Sequence, residues 1–238
     1  MTEQLLKGRI TLVTGASRGI GYATAIELAR HGSHIIAVAR TQGGLEDLDD
    51  AIKAVGGEAT LVPMDLRQAD GIDQLGGIIY ERWGRLDGLL SNAGLLGEIA
   101  PVPHIDPKKW EETFAVNVTA NFRLIRSMDA LLRASDSGRA IFMSSKGAQS
   151  RKAYWGVYAA SKSALDALVM CYADETEQTN MKINLVYPGP VRTQMRAKAM
   201  PGEDPDTLPK PADIAKRLVP LLGPDHNTHG KIISFRKD

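Results

Sequence analysis

The stretch ITLVTGASRGIG, residues 10–21, decides the fold of this chain. It begins with a β-branched apolar run that is typical of a buried strand, and it passes through a glycine-rich turn into a segment whose apolar residues have helical spacing. Glycines in such a turn let backbone N–H groups and the positive end of the helix approach a pyrophosphate. The stretch therefore predicts a strand, a tight turn and a helix that together bind a nucleotide.

The rest of the chain alternates short β-branched runs with longer segments of helical period, which indicates repeated βαβ units. The predicted strands are Ile10–Thr14, His34–Ala39, Ala59–Pro63, Leu86–Ser91, Ala140–Ser144, Lys182–Tyr187 and Lys231–Phe235. The predicted helices are Ile20–His31, Gly44–Val55, Asp70–Trp83, Lys108–Ala134, Tyr154–Thr179 and Ala212–Leu222. No Pro/Gly/Ser-rich linker interrupts this alternation. We therefore predict a single α/β domain over residues 1–238, with a doubly wound, parallel, seven-stranded sheet and helices on both faces.

The segment at about 193–211 departs from the alternation because it is rich in proline and acidic residues. Such a segment is typical of a loop that covers a substrate, although a plain solvated connector also fits the composition. We predict a substrate loop at this position.

Charge and cysteine content exclude several classes of protein. Lys and Arg number 29 against 28 Asp and Glu, and no basic block is long enough to follow a phosphate backbone, so nucleic-acid binding is not expected. No apolar segment has the length needed to span a bilayer. The only cysteine, Cys171, lies in an apolar helical stretch and is predicted to be a small core residue. These features favour a cytoplasmic protein without a membrane partner.

A second informative stretch is Tyr158-Ala159-Ala160-Ser161-Lys162, which places a phenol and an ammonium four residues apart on a predicted helix. A tyrosine hydroxyl has a pKa of about 10 and is a poor acid or base at neutral pH, but an ammonium one turn away stabilises the phenolate. The pair indicates proton transfer at a carbonyl or an alcohol. The spacing also fits a surface lysine beside a half-buried tyrosine, so the interpretation depends on the motifs around it.

Three further motifs come directly after predicted strands. Asn92 lies in Ser-Asn-Ala-Gly, residues 91–94, after the fourth strand; Ser145 follows the fifth; and Pro188 begins Pro-Gly-Pro-Val-Arg-Thr after the sixth. Because the carboxyl ends of parallel strands meet at one edge of a sheet, we expect these residues to share one crevice.

These motifs, in this order from about residue 8 to residue 235, resemble those of the short-chain dehydrogenase/reductase family. The family's glycine motif is Thr-Gly, three residues, then Gly-x-Gly, as at residues 14–21. The resemblance implies a Rossmann fold and an NAD(P)-dependent enzyme that acts on CH–OH groups. It also implies a catalytic tetrad of Asn117, Ser145, Tyr158 and Lys162, with Tyr158 as the general acid or base.

Each member of the implied tetrad has a role in the family. Ser145 hydrogen-bonds the substrate oxygen, Lys162 holds the ribose hydroxyls and lowers the pKa of the tyrosine, and Asn117 places a water molecule for a proton relay. Ser144 is an alternative to Ser145, although the family's spacing of thirteen residues to the tyrosine favours Ser145. Tyr154 has no lysine four residues later, and it is predicted to form part of the pocket wall.

The resemblance further implies which residues contact the cofactor. They are Gly15, Ser17, Arg18, Gly19, Ile20, Gly21, Arg40, Thr41, Asp65, Leu66, Asn92, Ala93, Gly94, Tyr158, Lys162, Pro188, Gly189, Val191 and Thr193. Arg40 and Thr41 occupy the end of the second strand, where an acidic residue would bind both ribose hydroxyls and repel a 2′-phosphate. Together with Arg18, the Arg40 guanidinium favours NADP(H) over NAD(H), unless Arg40 is merely a solvated loop cation.

No metal is predicted. The hydride comes from the nicotinamide, so the implied reaction requires no metal ion. His226 and His229 are three residues apart, but a metal site needs further ligands in a fixed geometry.

A closer resemblance, to the bacterial YciK-type subgroup of uncharacterised oxidoreductases, is carried by residues 91–97, 203–205 and 211–214. We expect a small to medium, largely apolar carbonyl or alcohol substrate bounded by Leu95, Leu96, Tyr154, Trp155 and the segment 193–200. The family's usual assembly implies a homodimer or homotetramer.

Two other functions fit the same motifs. A 3-oxoacyl-carrier-protein reductase would need a basic face for an acidic carrier, and Lys146, Arg151 and Lys152 provide a candidate. A cofactor-sensing binding protein without turnover belongs to a different class, and such a protein would be expected to lose the tyrosine or the lysine.

Overall fold

A computed structural model of the chain describes residues 4–150 and 152–236, in which seven strands form one parallel sheet. The strands are β1 (Ile10–Thr14), β2 (His34–Ala39), β3 (Ala59–Pro63), β4 (Gly88–Ser91), β5 (Arg139–Met143), β6 (Lys182–Tyr187) and β7 (Lys231–Ser234). Their order in the sheet is β3-β2-β1-β4-β5-β6-β7. The direction of winding reverses between β1 and β4, so the loops that follow these strands diverge and open a crevice. The predicted doubly wound parallel sheet is confirmed.

Within the described residues, eight α-helices connect or follow the strands. They are α1 (Gly19–Arg30), α2 (Gln42–Ala54), α3 (Ala69–Trp83), α4 (Pro107–Phe114), α5 (Ala120–Arg133), α6 (Gly156–Glu175), α7 (Gln194–Ala199) and α8 (Pro211–Leu218). Helices α1, α2 and α8 cover one face of the sheet, and helices α3, α5 and α6 cover the other. Successive strand residues alternate between the two cores: Leu12 packs with α3, α5 and α6, whereas Val13 packs with α1, α2 and α8.

One predicted helix is interrupted. The sequence predicts a continuous helix over Lys108–Ala134, but the structure places a π-helical turn, Ala115–Thr119, between α4 and α5. The turn surrounds Asn117, whose side chain is fully buried. A π-helical turn widens the helix by one residue and is frequent at functional sites.

The structure contradicts the prediction for Cys171, whose side chain is exposed. The buried residues of α6 nearest to it are Val169, Tyr172 and Ala173, which lie on the face that packs against the sheet. Cys171 occupies the opposite face of the same helix. The apolar composition of the segment predicts a buried helix, but it does not indicate which residues lie on the buried face.

The apolar residues of the long helices pack mainly inward. Leu124, Leu131 and Leu165 are at most 3% exposed and belong to the core beneath α5 and α6. The predicted homodimer or homotetramer stays a prediction. Within residues 4–150 and 152–236, no helix combines the length and apolar character needed to cross a bilayer.

Candidate functional site

A crevice of about 1690 Å³ lies along the carboxyl edge of the sheet. The turns that follow β1, β2, β4, β5 and β6 all contribute to its walls. Of the residues predicted to contact a cofactor, every one except Gly21 lines the crevice. Ser145 lines it as well, whereas Asn117 lies beneath its floor. The sequence motifs therefore converge on one site.

The glycine turn after β1 is shaped for a close approach of backbone to a ligand. Gly15 has a φ of +66°, which favours glycine. A Cβ added at Gly21 would lie 2.4 Å from the carbonyl oxygen of Gly15, so the first turn of α1 packs directly on the turn before it. No side chain caps the N-terminus of α1. Its first backbone N–H groups are consequently suited to bind phosphate oxygens.

Asn92 holds the glycine turn to β4. Its side-chain Nδ2 donates to the carbonyl oxygen of Thr14 at 3.0 Å, and its backbone N donates to Thr14 Oγ1 at 3.0 Å. The backbone N of Ala93 donates to the same hydroxyl at 3.1 Å. Asn92 therefore shapes this wall of the crevice through hydrogen bonds within the protein.

The phenol of Tyr158 and the hydroxyl of Ser145 meet on the opposite wall of the crevice. A Cβ added at Gly147 would lie 3.1 Å from Ser145 Oγ and 3.2 Å from Tyr158 Cε1, which places both side chains against one turn. The backbone N of Gly147 donates to Ser145 Oγ at 3.0 Å. This bond occupies a lone pair of the hydroxyl and leaves its proton available for donation. The ring of Trp155 packs edge-on against Tyr158, with centroids 5.9 Å apart.

Burial changes the acidity of the tyrosine and the lysine. Burial raises the pKa of Tyr158, and a hydrogen bond from the Ser145 hydroxyl opposes this effect. Burial also lowers the pKa of Lys162 from 10.5 to about 8, while the negative charge of Asp166 opposes that shift. Lys162 Nζ donates to the carbonyl oxygen of Met143 at 2.8 Å. Its other two protons have no hydrogen-bond partner among the residues that the structure describes.

Asn117 clamps the π-helical turn to its surroundings. Its Oδ1 accepts from the backbone N of Leu95 at 2.8 Å, and its Nδ2 donates to the carbonyl oxygen of Leu95 and to Ser161 Oγ, both at 2.9 Å. Its own carbonyl oxygen accepts from Asn121 Nδ2 at 2.9 Å. The side chain thus joins the loop after β4 to α6, immediately behind Lys162.

The predicted adenosine end of the crevice carries two exposed arginines and two acids, Asp65 and Glu112. Arg18 Nη1 donates to Gln194 Oε1 at 3.0 Å, and Arg40 follows β2. Asp65 forms a bidentate pair with Arg67, whose Nε lies 3.0 Å from Asp65 Oδ2. Hydrogen bonds from Arg67 lower the pKa of Asp65 more than any other group, and the charge of Arg40 adds to the effect. Glu112 pairs with Lys109 at 3.1 Å, so both acids that line this end are neutralised within the described part of the protein.

The predicted substrate end of the crevice has apolar walls. Leu95 and Leu96 come from the loop after β4, Trp155 precedes α6, and Met195 and Met200 lie on or just after α7. The segment predicted as a substrate loop thus contributes to the wall through residues 193–200, and part of it is helical. Whether it covers a substrate stays a prediction.

Tyr154 does not line the crevice, which corrects its predicted place in the pocket wall. Its side chain is 56% exposed, and its backbone has a φ of +71° at the turn before α6. Its carbonyl oxygen accepts from the backbone N of Ala100 at 3.1 Å. The turn directs Trp155, and not Tyr154, into the site.

Sequence reasoning missed Asp166, which lies behind Lys162. Tyr158, Lys162 and Asp166 are spaced by four residues and share one face of α6. Tyr187, at the end of β6, donates a short hydrogen bond to Asp166 Oδ2. Burial raises the pKa of the Asp166 carboxyl, while Ser144 and Tyr187 oppose this. The continuation of the four-residue spacing beyond Lys162 was the available signal.

Ser144, the alternative to Ser145, faces the same buried carboxyl. It lowers the pKa of Asp166, although its hydroxyl oxygen stays outside hydrogen-bonding geometry. Its side chain is only 4% exposed. Ser145 is therefore better placed than Ser144 to reach a ligand beside Tyr158.

The two C-terminal histidines make contacts that stabilise the fold. His229 Nδ1 accepts from the backbone N of Ile183 at 3.2 Å, and its Nε2 lies 2.7 Å from the carbonyl oxygen of Ala173. His226 Nε2 lies 3.4 Å from Asn184 Nδ2. Among the residues described, no three His, Cys, Asp or Glu side chains are grouped so that they could hold a metal ion.

The residues of this crevice fit a nicotinamide dinucleotide. The uncapped N-terminus of α1 matches a pyrophosphate, and Gly94 brings backbone close to Lys162, where an added Cβ would lie 3.6 Å from Nζ. A glycine turn at the first crossover, combined with a tyrosine, a serine and a buried lysine at the switch point, defines the class of dinucleotide-dependent oxidoreductases.

Comparison with known proteins names the family. The family model for short chain dehydrogenase matches residues 9–204, and the chain belongs to this family. It is 39% identical over 226 residues to YciK, an uncharacterized oxidoreductase of Escherichia coli K12, covering 94% of this chain and 89% of that protein. This bears out the resemblance to the YciK-type subgroup.

Two crystal structures of relatives contain a cofactor. A short chain dehydrogenase of Escherichia coli CFT073 in complex with NADPH is 37% identical with a TM-score of 0.93, covering 100% of both chains. One from Shigella flexneri 2a in complex with NADP is 38% identical with a TM-score of 0.93, covering 98% of this chain and 99% of that one.

Proposed function

We propose that this protein transfers hydride between NADP(H) and a carbonyl or secondary-alcohol substrate, with Tyr158 as the general acid or base. One observation carries the proposal: the Tyr158 phenol and the Ser145 hydroxyl adjoin in the crevice, with the buried ammonium of Lys162 behind them. Two adjoining hydroxyl donors are suited to an oxygen on which negative charge develops.

In the reductive direction, Tyr158 gives its proton to the substrate oxygen, and in the oxidative direction it accepts one. When bound, the cofactor supplies or accepts the hydride. Ser145 donates a hydrogen bond to the same oxygen, because the N–H of Gly147 already occupies a lone pair of its hydroxyl. The buried wall around Tyr158 excludes water, which strengthens both hydrogen bonds.

Lys162 acts through its charge and its free protons. The proton that it donates to the carbonyl oxygen of Met143 fixes the ammonium, and the other two protons are available for ribose hydroxyls. With a pKa of about 8, Lys162 is mainly charged at neutral pH, and it stabilises the phenolate that Tyr158 becomes. We propose that Asn117 positions this pair, and that its carbonyl oxygen holds a water molecule for the relay.

The preference for NADP(H) is supported by charge at the adenosine end. Arg18 and Arg40 line this end, and both of its acids are paired, Asp65 with Arg67 and Glu112 with Lys109. Guanidinium groups match a 2′-phosphate, and both cofactor complexes named above contain NADP or NADPH. Replacing Arg18 and Arg40 with Ala should weaken NADPH binding much more than NADH binding.

Two alternatives have specific support or opposition. Lys146 and Lys152 line the crevice beside Ser145, which keeps a 3-oxoacyl-carrier-protein reductase as an alternative within the enzyme class; Arg151, the third predicted cation, lies outside the described residues. A cofactor-sensing protein without turnover is disfavoured, because both Tyr158 and Lys162 are retained in the crevice.

The test is a pair of Tyr→Phe variants four residues apart. Tyr158→Phe should lower kcat/KM for NADPH-dependent ketone reduction by about 10²–10⁴-fold while the Kd for NADPH changes little. Tyr154→Phe is the matched control, because Tyr154 faces solvent outside the crevice. Normal turnover by Tyr158→Phe would show that the mechanism is wrong. Tight NADPH binding with no turnover of any ketone or acetoacetyl thioester would favour the sensing protein.

A further inference from the structure

The charged residues of this protein are unevenly distributed around the crevice. The whole chain is nearly balanced, with 29 basic and 28 acidic residues. Among the side chains that line the crevice, ten are basic and two are acidic. The basic ones are Arg18, Arg40, Lys109, Lys146, Lys152, Lys162, Arg192, Arg196, Lys198 and Arg236. A crevice lined by one sign of charge concentrates ligands of the opposite sign.

Both acidic side chains lie toward the adenosine end, and both are paired. Asp65 contacts Arg67 at 2.5 Å, and Glu112 contacts Lys109 at 3.1 Å. Two of the basic side chains near α7 are also paired: Arg192 with an aspartate at 2.7 Å, and Arg196 with a glutamate at 2.5 Å. No other acid lines the crevice in the described part of the chain. The remaining cations at the substrate end therefore have no acidic lining residue beside them.

Two unpaired lysines flank the substrate end from different elements. Lys152 lies in the loop between β5 and α6, which also carries Ser145, and Lys198 lies on α7. Neither lysine has an acidic partner in the described part of the chain. Apolar walls from Leu96 and Trp155 lie deeper in the same half of the crevice. The substrate end is therefore apolar inside and positive at its mouth.

The cofactor does not account for this charge. The phosphates of a nicotinamide dinucleotide are expected at the uncapped N-terminus of α1 and beside Arg40, on the far side of Lys162. Lys152 precedes Trp155 by three residues and Lys198 lies between Met195 and Met200, so both lysines belong to the segments that form the apolar walls. A purely apolar ketone would gain nothing from two cations there.

We propose that the substrate is an amphiphilic carbonyl or alcohol compound, with an apolar body that reaches Tyr158 and an anionic group that Lys152 and Lys198 bind at the mouth of the crevice. The inference rests on the proposed function, because it concerns the same site. A carboxylate and a phosphate would both satisfy two ammonium groups, so the anionic group is the feature that the site selects.

The test uses two matched pairs of probes with protein saturated with NADPH. The first pair is 5-oxohexanoate and its methyl ester, which differ by a carboxylate. The second pair is acetoacetyl-4′-phosphopantetheine and acetoacetyl-pantetheine, which share a thioester and differ by one phosphate. In at least one pair the anionic member should have a kcat/KM at least about tenfold higher, and this advantage should shrink as salt rises from about 0.02 to 0.5 M. The pair that shows it identifies the anion as carboxylate or phosphate.

The variants separate a local effect from a general one. Lys152→Gln/Lys198→Gln should reduce the anionic advantage to less than a third of its value. Lys216→Gln/Lys231→Gln removes the same charge from exposed positions outside the crevice and should preserve the advantage. Equal kcat/KM within both pairs, or an equal loss in both double variants, overturns the inference.

A binding measurement keeps this inference separate from the proposed function. Calorimetry with the NADP⁺-saturated protein compares 5-oxohexanoate with its ester and 4′-phosphopantetheine with pantetheine. If no probe is turned over, the proposed function fails, and tighter binding of an anionic member still supports a positive mouth that selects anions. Equal binding within both pairs, including none detectable, overturns the inference whether or not turnover occurs.

Discussion

Replacing Lys162 with Met should make the cofactor-free protein more stable at neutral pH while removing its function. The side chain of Lys162 is 4% exposed, and its burial lowers the pKa of the ammonium from 10.5 to about 8. This pKa difference means that keeping Lys162 charged lowers the free energy of unfolding by about 3 kcal/mol. Met has a similar length and no charge. The substitution also removes the hydrogen bond to the carbonyl oxygen of Met143, and this loss lowers the stability of the variant by about 1 kcal/mol.

The sign of the pH dependence follows from proton binding. Between pH 8 and 10.5 the unfolded chain retains the proton on Lys162 while the folded protein releases it, so the stability of the wild-type protein rises with pH across this window. The Lys162→Met variant lacks this contribution. We expect the variant to be about 2 kcal/mol more stable than the wild type at pH 7, and about 1 kcal/mol less stable at pH 10.5.

Urea unfolding of both proteins at several pH values measures this difference directly. Lys216→Met, at an exposed position on α8, serves as the control and should stay within about 0.5 kcal/mol of the wild type throughout. Adding NADPH at a hundred times its Kd should stabilise the wild type by about 2.7 kcal/mol and the Lys162→Met variant much less. A stability difference that does not change with pH would refute the reasoning about the buried ammonium.

Two further predictions concern the glycine turn and the carboxyl behind the lysine. Gly21→Ala should cost about 1–3 kcal/mol of stability and weaken NADPH binding, because the added Cβ would lie 2.4 Å from a backbone oxygen. The control is Gly77→Ala in α3, whose added Cβ meets nothing within 4 Å and which should stabilise the protein by up to about 1 kcal/mol. Equal effects of the two variants in urea unfolding would contradict this prediction. Asp166→Asn should move the alkaline limb of kcat/KM to lower pH, because the Asp166 charge raises the pKa of Lys162. Tyr187→Phe is the control, because it removes the hydrogen bond to Asp166 and keeps the Asp166 charge, so the alkaline limb should stay at the same pH. An equal displacement of the limb in both variants would show that this hydrogen bond, and not the charge, sets its position.

The site could be predicted where its parts depend on local sequence. Gly15 and its neighbours follow an apolar strand and begin a helix, and that order alone specifies a turn open to phosphates. Ser145 and Pro188 follow strands of a parallel sheet, so their convergence on one edge required only the topology. The structure places both in the crevice.

Other parts depend on contacts between distant residues. The π-helical turn around Asn117 exists together with hydrogen bonds to Leu95 and Ser161, which are 22 and 44 residues away. Nothing in the periodicity of residues 108–134 indicates it. The exposure of Cys171 was missed because composition identifies an apolar segment, while only packing decides which face of the helix is buried.

By itself, the sequence determined the alternation of strands and helices, the glycine turn of residues 10–21 and the spacing of the tyrosine and the lysine, because each depends on residues that are near one another in the chain. Only the tertiary structure decided the pKa of about 8 at Lys162, the carboxyl of Asp166 behind it and the concentration of positive charge around the crevice. Burial and long-range electrostatic fields depend on which surfaces the fold brings together, and local sequence patterns do not specify these surfaces.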